Sequence, residues 1–259
     1  MTASSRTTKA DMDQTSWRPD GRLLVSYPKS GRTWLRFALD SADIDATLTH
    51  AGASTNRREI GKPYRQIPAG LRDLPVVFLH RNPLDTAVSM FHQVIERDLR
   101  PGTGRWLRMW LPLTLKGALP PRDIDAFVLH PLHGIEKVCA YNRLWLDHLA
   151  GRSDCLVLTY EAMRADPAAA YQRLLDHWGE TSVTGATLAE ASSFERMKAA
   201  EHAGRGIFGN ERTAPAAPSA VKVRKGKVAG YLEELHPETV RAAAAIARRY
   251  GFEIAAAVG

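Results

Sequence analysis

Cysteine is almost absent: Cys139 and Cys155 are the only two in 259 residues. A single pair supports neither a disulfide framework nor a cysteine-based zinc site, and such usage fits a reducing compartment. No run approaches the ~18 consecutive apolar residues that a membrane-spanning helix needs, so no transmembrane segment is expected. The first twenty residues are polar and lack the apolar stretch of a secretory signal; residues 1–20 read as a disordered tail and the location as cytoplasmic. No Gly-Lys-Ser or Gly-Lys-Thr occurs in the chain, which removes the ordinary nucleoside-triphosphate loop. No group of carboxylates and histidines stands out as a metal site, so no metal is expected.

What is present is an excess of positive charge. Lys and Arg number 35 against 28 Asp and Glu, for a formal net charge of +7. Such a balance suits an anionic partner, from nucleic acid to a multiply charged small molecule, unless it is simply a solvated basic surface. A hydrophobic share of 44% is enough for a substantial core.

The apolar runs define a repeated unit. Arg22–Tyr27 is a short strand, broken by Pro28 and Gly31, then followed by a helix-compatible stretch through Ala42. Pro75–His80 repeats the strand, and Asn82, Pro83 and Asp85 supply the cap, first-turn proline and first-turn acid of a helix. Cys155–Tyr160 repeats it again, with Asp166 and Pro167 opening a helix that Gly179 ends. Gly134–Leu149 reads as an amphipathic helix, and Pro237–Tyr250 as a final one. Near-continuous apolar strands alternating with helices predict an α/β fold: a single domain over 21–259, with a central parallel sheet flanked by helices. No linker or internal repeat divides it. Arg97–Pro121, rich in Trp, Leu, Pro and Gly, has no clean period. It reads as a cover for an apolar pocket or as a plain surface excursion. The Gly-, Ala- and Pro-rich stretch 204–230 reads as a mobile loop.

Function is most legible between Tyr27 and Trp34, Tyr-Pro-Lys-Ser-Gly-Arg-Thr-Trp. A glycine between a strand's end and a helix's start lets backbone N–H groups close around an anion, at the positive end of the helix dipole. Lys29 adds a full charge, and Ser30 and Thr33 add hydroxyls. The eight residues together resemble the 5′-phosphosulfate loop of sulfotransferases that use 3′-phosphoadenosine-5′-phosphosulfate (PAPS), usually written YPKSGTTW, with Arg32 as the one departure. The resemblance continues in order. Arg81 to Ser89 is similar to the family's 3′-phosphate segment, in which an arginine and a serine eight positions later hold the phosphate. Leu158–Met163 carries Tyr160 to an adenine contact. The segment Ser192–Met197 does the same for Ser192 and Phe194. Trp34 is a second candidate for stacking on the base. Arg224-Lys225-Gly226 resembles the loop that returns over the 3′-phosphate, making 204–230 a nucleotide-covering loop.

The resemblance implies a P-loop-like sulfotransferase fold with PAPS as co-substrate and 3′-phosphoadenosine 5′-phosphate (PAP) as product. Lys29, Ser30, Gly31, Arg32, Thr33 and Trp34 would then bind the nucleotide, with Lys29 also stabilising the leaving phosphate. The family's catalytic histidine follows a threonine in a Lys-Thr-His motif. This chain offers Leu48-Thr49-His50, which makes His50 the candidate base, with His80 and His92 as alternatives. The acceptor would be a small molecule, saccharide or lipid with a free hydroxyl, and nucleic acid is not expected as a partner. Where the family's dimer motif has lysine and glutamate, Leu235 and Ala244 stand, which leaves the oligomeric state open. A P-loop-like kinase of a small metabolite is the alternative; it needs a triphosphate loop and leaves Arg81 and Ser89 unexplained. A non-catalytic nucleotide or nucleic-acid binder would have no use for His50.

Overall fold

The computed structural model describes residues 21–55, 59–100, 104–204, 206–208 and 227–255. The tail 1–20, the segment Arg224–Gly226 and most of 204–230 therefore lie outside the described residues.

Four short strands form one parallel sheet: β1 (Leu23–Ser26), β2 (Thr47–Thr49), β3 (Val77–His80) and β4 (Leu156–Thr159), in the order β2-β1-β3-β4. Side chains alternate across it. Leu23, Val25 and Phe78 enter one apolar cluster, while Leu24, Val77 and Leu79 enter another on the opposite face. Both faces are thus covered, which is why these strands read as continuous apolar runs.

The helix α1 (Arg32–Ser41) follows β1 directly and buries Trp34, Leu35, Ala38 and Leu39. After β3, Asn82 caps α2 (Pro83–Phe91) by accepting from the N–H groups of Leu84 and Asp85. That helix runs on into a π-helical stretch, His92–Asp98. Then come α3 (Gly104–Leu115), α4 (Ile124–Leu129) and α5 (Ile135–Leu149). After β4 the chain forms α6 (Tyr160–Ala165), α7 (Pro167–Trp178), α8 (Gly185–Ala191), α9 (Phe194–His202) and finally α10 (Pro237–Arg248). Gly179 at φ 62° closes α7, in the left-handed conformation glycine tolerates best.

Two elements were not legible as pattern. Strand β2 is only Thr-Leu-Thr, too short to carry a period. Helix α3 occupies the middle of Arg97–Pro121, with Pro112 inside it. An interior proline ordinarily argues against helix, and here buried Leu113 and Ala118 hold the segment to the core instead.

The register decides which residues meet. Val25 lies beside Thr49, Ser26 beside Leu79, and His80 beside Thr159. The carboxyl ends of all four strands therefore share one edge. The chain leaves β1 for β2 on one side and enters β3 on the other, so the crevice between β1 and β3 is the topological switch point, the usual ligand position in such sheets.

Candidate nucleotide and catalytic site

The loop that leaves β1 is built for close approach. Lys29 has φ 71° and Gly31 φ 98°, two successive departures from ordinary backbone around Ser30. Gly31 is the N-cap of α1 and leaves that helix end without a capping side chain. A Cβ on Gly31 would stand 2.6 Å from Cδ2 of Tyr160, so no other residue fits beneath that ring without displacing it. Ser30 is fully buried, yet its Oγ and the Oγ of Ser26 have no hydrogen-bond partner among the described residues. Buried hydroxyls left unmet beside a helix N-terminus match the requirements of an anion. Arg32 follows at the first turn of α1; burial, then the charge of Arg36, pulls its guanidinium down to about 10.

Across the crevice, Arg81 leaves the end of β3. Its Nη1 lies 3.5 Å from Ser89 Oγ, and its Nη2 donates to the Lys227 carbonyl at 2.9 Å. Its Nε is buried without a partner among the described residues. The guanidinium lies over the ring of Tyr160, 4.4 Å from the centroid, and Nη2 is 3.7 Å from Asp85 Oδ2. Asp85 in turn accepts from the N–H groups of Ala229 and Tyr231 at 2.9 and 3.3 Å. Burial raises its carboxyl above the ordinary value, and the Arg81 charge works against that rise. Arg81 and Asp85 together therefore hold the backbone of Lys227, Ala229 and Tyr231.

The aromatic group is packed at right angles. Trp34 meets Tyr160 and Tyr171 edge-on, at 6.0 and 6.3 Å between centroids. Its Nε1 donates to the Ser192 carbonyl at 2.7 Å, and Arg164 lies over its ring at 5.6 Å. The Ser192 hydroxyl is already engaged, at 2.7 Å from the Leu188 carbonyl and 3.0 Å from the Tyr171 hydroxyl. Ser192 thus positions Trp34 through its backbone. Phe194 is partly buried against the same cluster.

His50 follows β2 at the same edge. Its Nδ1 lies 2.8 Å from the Ser26 carbonyl. A carbonyl can only accept, so Nδ1 carries the proton and Nε2 keeps its lone pair. Burial first, and Arg32 second, pull the imidazole down to about 3. His80 ends β3 stacked on Phe78 at 5.7 Å, and burial lowers it to about 4. His92 is held between two carboxylates, with Nδ1 at 2.9 Å from Glu96 and Nε2 at 2.7 Å from Glu234. The Nε2 contact with Glu234 is a hydrogen bond that ties the π-helical stretch to the C-terminal region, whereas Nδ1 lies near Glu96 without hydrogen-bond geometry.

On the other side of Tyr27 lies a narrow cavity, lined among others by Met90, Val94, Phe127, His133 and Lys137. Lys137 is only 6% exposed and donates to the Glu59 carbonyl at 3.2 Å. His133 meets the Ala118 carbonyl at 2.8 Å. Nothing in the sequence marked either residue, since each sits in a helical or turn pattern among apolar neighbours. Among the described residues no group of His, Cys, Asp and Glu is gathered as a metal site.

A family model for the sulfotransferase domain matches residues 43–251. The chain belongs to the sulfotransferase family. The matched stretch begins after the loop at Tyr27–Trp34 and includes His50, Arg81, Ser89 and Tyr160. Among curated sulfotransferases, cytosolic sulfotransferase 17 of Arabidopsis thaliana is 27% identical, covering 86% of this chain and 72% of its own length. Flavonol 3-sulfotransferase of Flaveria bidentis is 24% identical over 81% of this chain and 74% of its own. Two solved structures share the fold. A mouse sulfotransferase complexed with PAP has a TM-score of 0.57 and 22% identity, covering 87% of this chain and 82% of its own. Retinol dehydratase in complex with androsterone and PAP has a TM-score of 0.59 and 16% identity, over 91% and 81%.

Proposed function

We propose that this sulfotransferase takes the sulfuryl group from PAPS and transfers it in line to a hydroxyl of a small-molecule, saccharide or lipid acceptor, in the cytoplasm. The observation that carries the reading is the set of unmet buried polar atoms around the β1–β3 crevice: Ser26 Oγ, Ser30 Oγ and Arg81 Nε. Donors left unsatisfied at a switch point fit a ligand with more than one anionic group. PAP in the solved relatives is such a ligand.

In this reading Lys29, Ser30, Gly31, Arg32 and Thr33 hold the 5′-phosphate end. Arg81 and Ser89 hold the 3′-phosphate, with Arg224, Lys225 and Gly226 as further candidates. Tyr160, Trp34 and Phe194 border the adenine, and Ser192 sets the angle of Trp34. PAPS supplies an activated sulfuryl group on a good leaving group. Charge accumulates on the departing phosphate, and Lys29 with the loop amides is the part of the chain that stabilises it. His50 is neutral at physiological pH, with Nε2 free to take the acceptor proton. An anionic donor beside Arg32 offsets that cation, so His50 becomes a stronger base once nucleotide is bound.

Thermal melts with PAP, AMP and ATP test the nucleotide assignment. A ligand that binds only the native state raises apparent stability with its concentration. PAP should shift the melting temperature more than AMP or ATP does. Equal shifts from PAP and AMP would remove the 3′-phosphate site from Arg81 and Ser89. A screen of hydroxylated acceptors with radiolabelled PAPS then identifies the second substrate.

A further inference from the structure

The helix α3 presents an apolar face to solvent that the transfer reaction does not use. Leu111 is 50% exposed and Leu115, one turn later, 79%; Leu119, just beyond the helix end, is 38% exposed. The opposite side of the segment is fixed. Leu113 and Ala118 pack against Gly61 so closely that a Cβ there would lie 2.9 Å from Leu113 Cδ2 and 3.0 Å from Ala118 Cβ. His133 holds the Ala118 carbonyl, and Trp106 stacks on Trp110 at 5.7 Å between centroids. The exposed leucines therefore belong to a supported surface and not to a frayed end.

The charge of the segment is one-signed. From Leu99 to Arg122 the sequence has no aspartate or glutamate, but carries Arg100, Arg105, Arg108, Lys116 and Arg122. Lys116 and Arg122 are exposed. A second copy of the chain docking isologously through this face would set cations against cations. A surface with apolar depth and fixed negative charge satisfies both features. We infer that α3 docks the protein on an anionic lipid surface, with Leu111, Leu115 and Leu119 entering the interface and the exposed Lys116 and Arg122 meeting the headgroups.

Co-sedimentation with vesicles of phosphatidylcholine, with and without phosphatidylglycerol, tests this on the full chain without any substrate. Binding should require phosphatidylglycerol and weaken as salt is raised. Replacing both Leu111→Ser and Leu115→Ser should lower the partition coefficient about tenfold or more. Lys116→Glu, a surface change that leaves the core alone, should lower it on the order of tenfold on anionic vesicles only. Circular dichroism melts of the same proteins establish that they fold, and the Lys116→Glu and salt arms stand even if the leucine variant does not. Equal binding to both vesicle types, or none, overturns the inference. So does a wild-type dimer that ignores vesicles and becomes monomeric when the leucines are replaced, which would assign the face to a second copy.

Discussion

The crevice between β1 and β3 and the cavity behind Tyr27 share a wall but solve opposite problems. The crevice keeps polar groups buried and unmet: Ser26, Ser30 and Arg81 each have an atom without a partner among the described residues. Leaving such groups unpaired costs about 1–3 kcal/mol each, a cost that a bound anion offsets. The cavity instead holds ionisable groups whose charged forms burial disfavours. Burial lowers Lys137 to about 8 and His133 to about 4, and both are tied to backbone carbonyls. One region leaves buried polar atoms without partners among the described residues, and the other gives each of its two buried bases a backbone carbonyl.

The sharpest test lies at His50, tied to the Ser26 carbonyl at the edge of the sheet. His50→Ala should lower turnover roughly 10²–10⁴-fold on the acceptor found by the radiolabel screen, the usual range for losing positioned proton transfer. PAP affinity should be nearly unchanged. A stable, PAP-binding variant with full activity would break the assignment and move the base to His80.

Within the crevice, Lys29 and Arg81 should separate transition-state from ground-state roles. Lys29→Met should cost about 10²–10³-fold in turnover with a smaller loss of PAP affinity. Arg81→Ala should act in the reverse sense, weakening PAP on the order of tenfold to a hundredfold by titration calorimetry. Matching losses of affinity and turnover in both variants would merge the two roles into simple binding.

The smallest effect is expected in the cavity, and with the opposite sign for stability. Lys137 has a folded value of about 8 against an ordinary 10.5. Between those values the unfolded chain binds more protons, so stability rises with pH there, and below about 8 the full cost is present. Lys137→Met should therefore stabilise the protein near neutrality by about 1–3 kcal/mol in denaturant unfolding. The gain should shrink as the pH is raised through that window. A destabilised variant would mean that the amine is better satisfied than its one carbonyl contact implies.

The crevice was legible in the sequence because its groups are local. Tyr27–Trp34 and Arg81–Ser89 each span one strand–helix turn, so glycine, lysine, caps and hydroxyls stand at fixed offsets that the chain cannot change without losing the turn. Three strands and most long helices were legible for a related reason: buried strands need unbroken apolar runs, and helix ends need particular capping residues. The cavity was not legible. Its lining comes from segments around Ala53, Met90, Phe127 and Lys137, each of which reads as ordinary core. The same holds for His92, whose partners lie both one turn away, at Glu96, and far along the chain, at Glu234.

By itself, then, the sequence determined the strand–helix turns at Tyr27–Trp34 and Arg81–Ser89, the alternation of strand and helix, and the absence of a cysteine framework. Only the tertiary structure decided that Lys29, His50, Arg81 and Tyr160 share one edge, that Ser192 works through its carbonyl, and that the leucines of α3 face outward. The reason is physical. Turn chemistry is settled by neighbours a few residues apart, whereas the pairing register and the choice of buried face are settled by contacts between distant segments, where one residue of slip would send every side chain to the other side of the sheet.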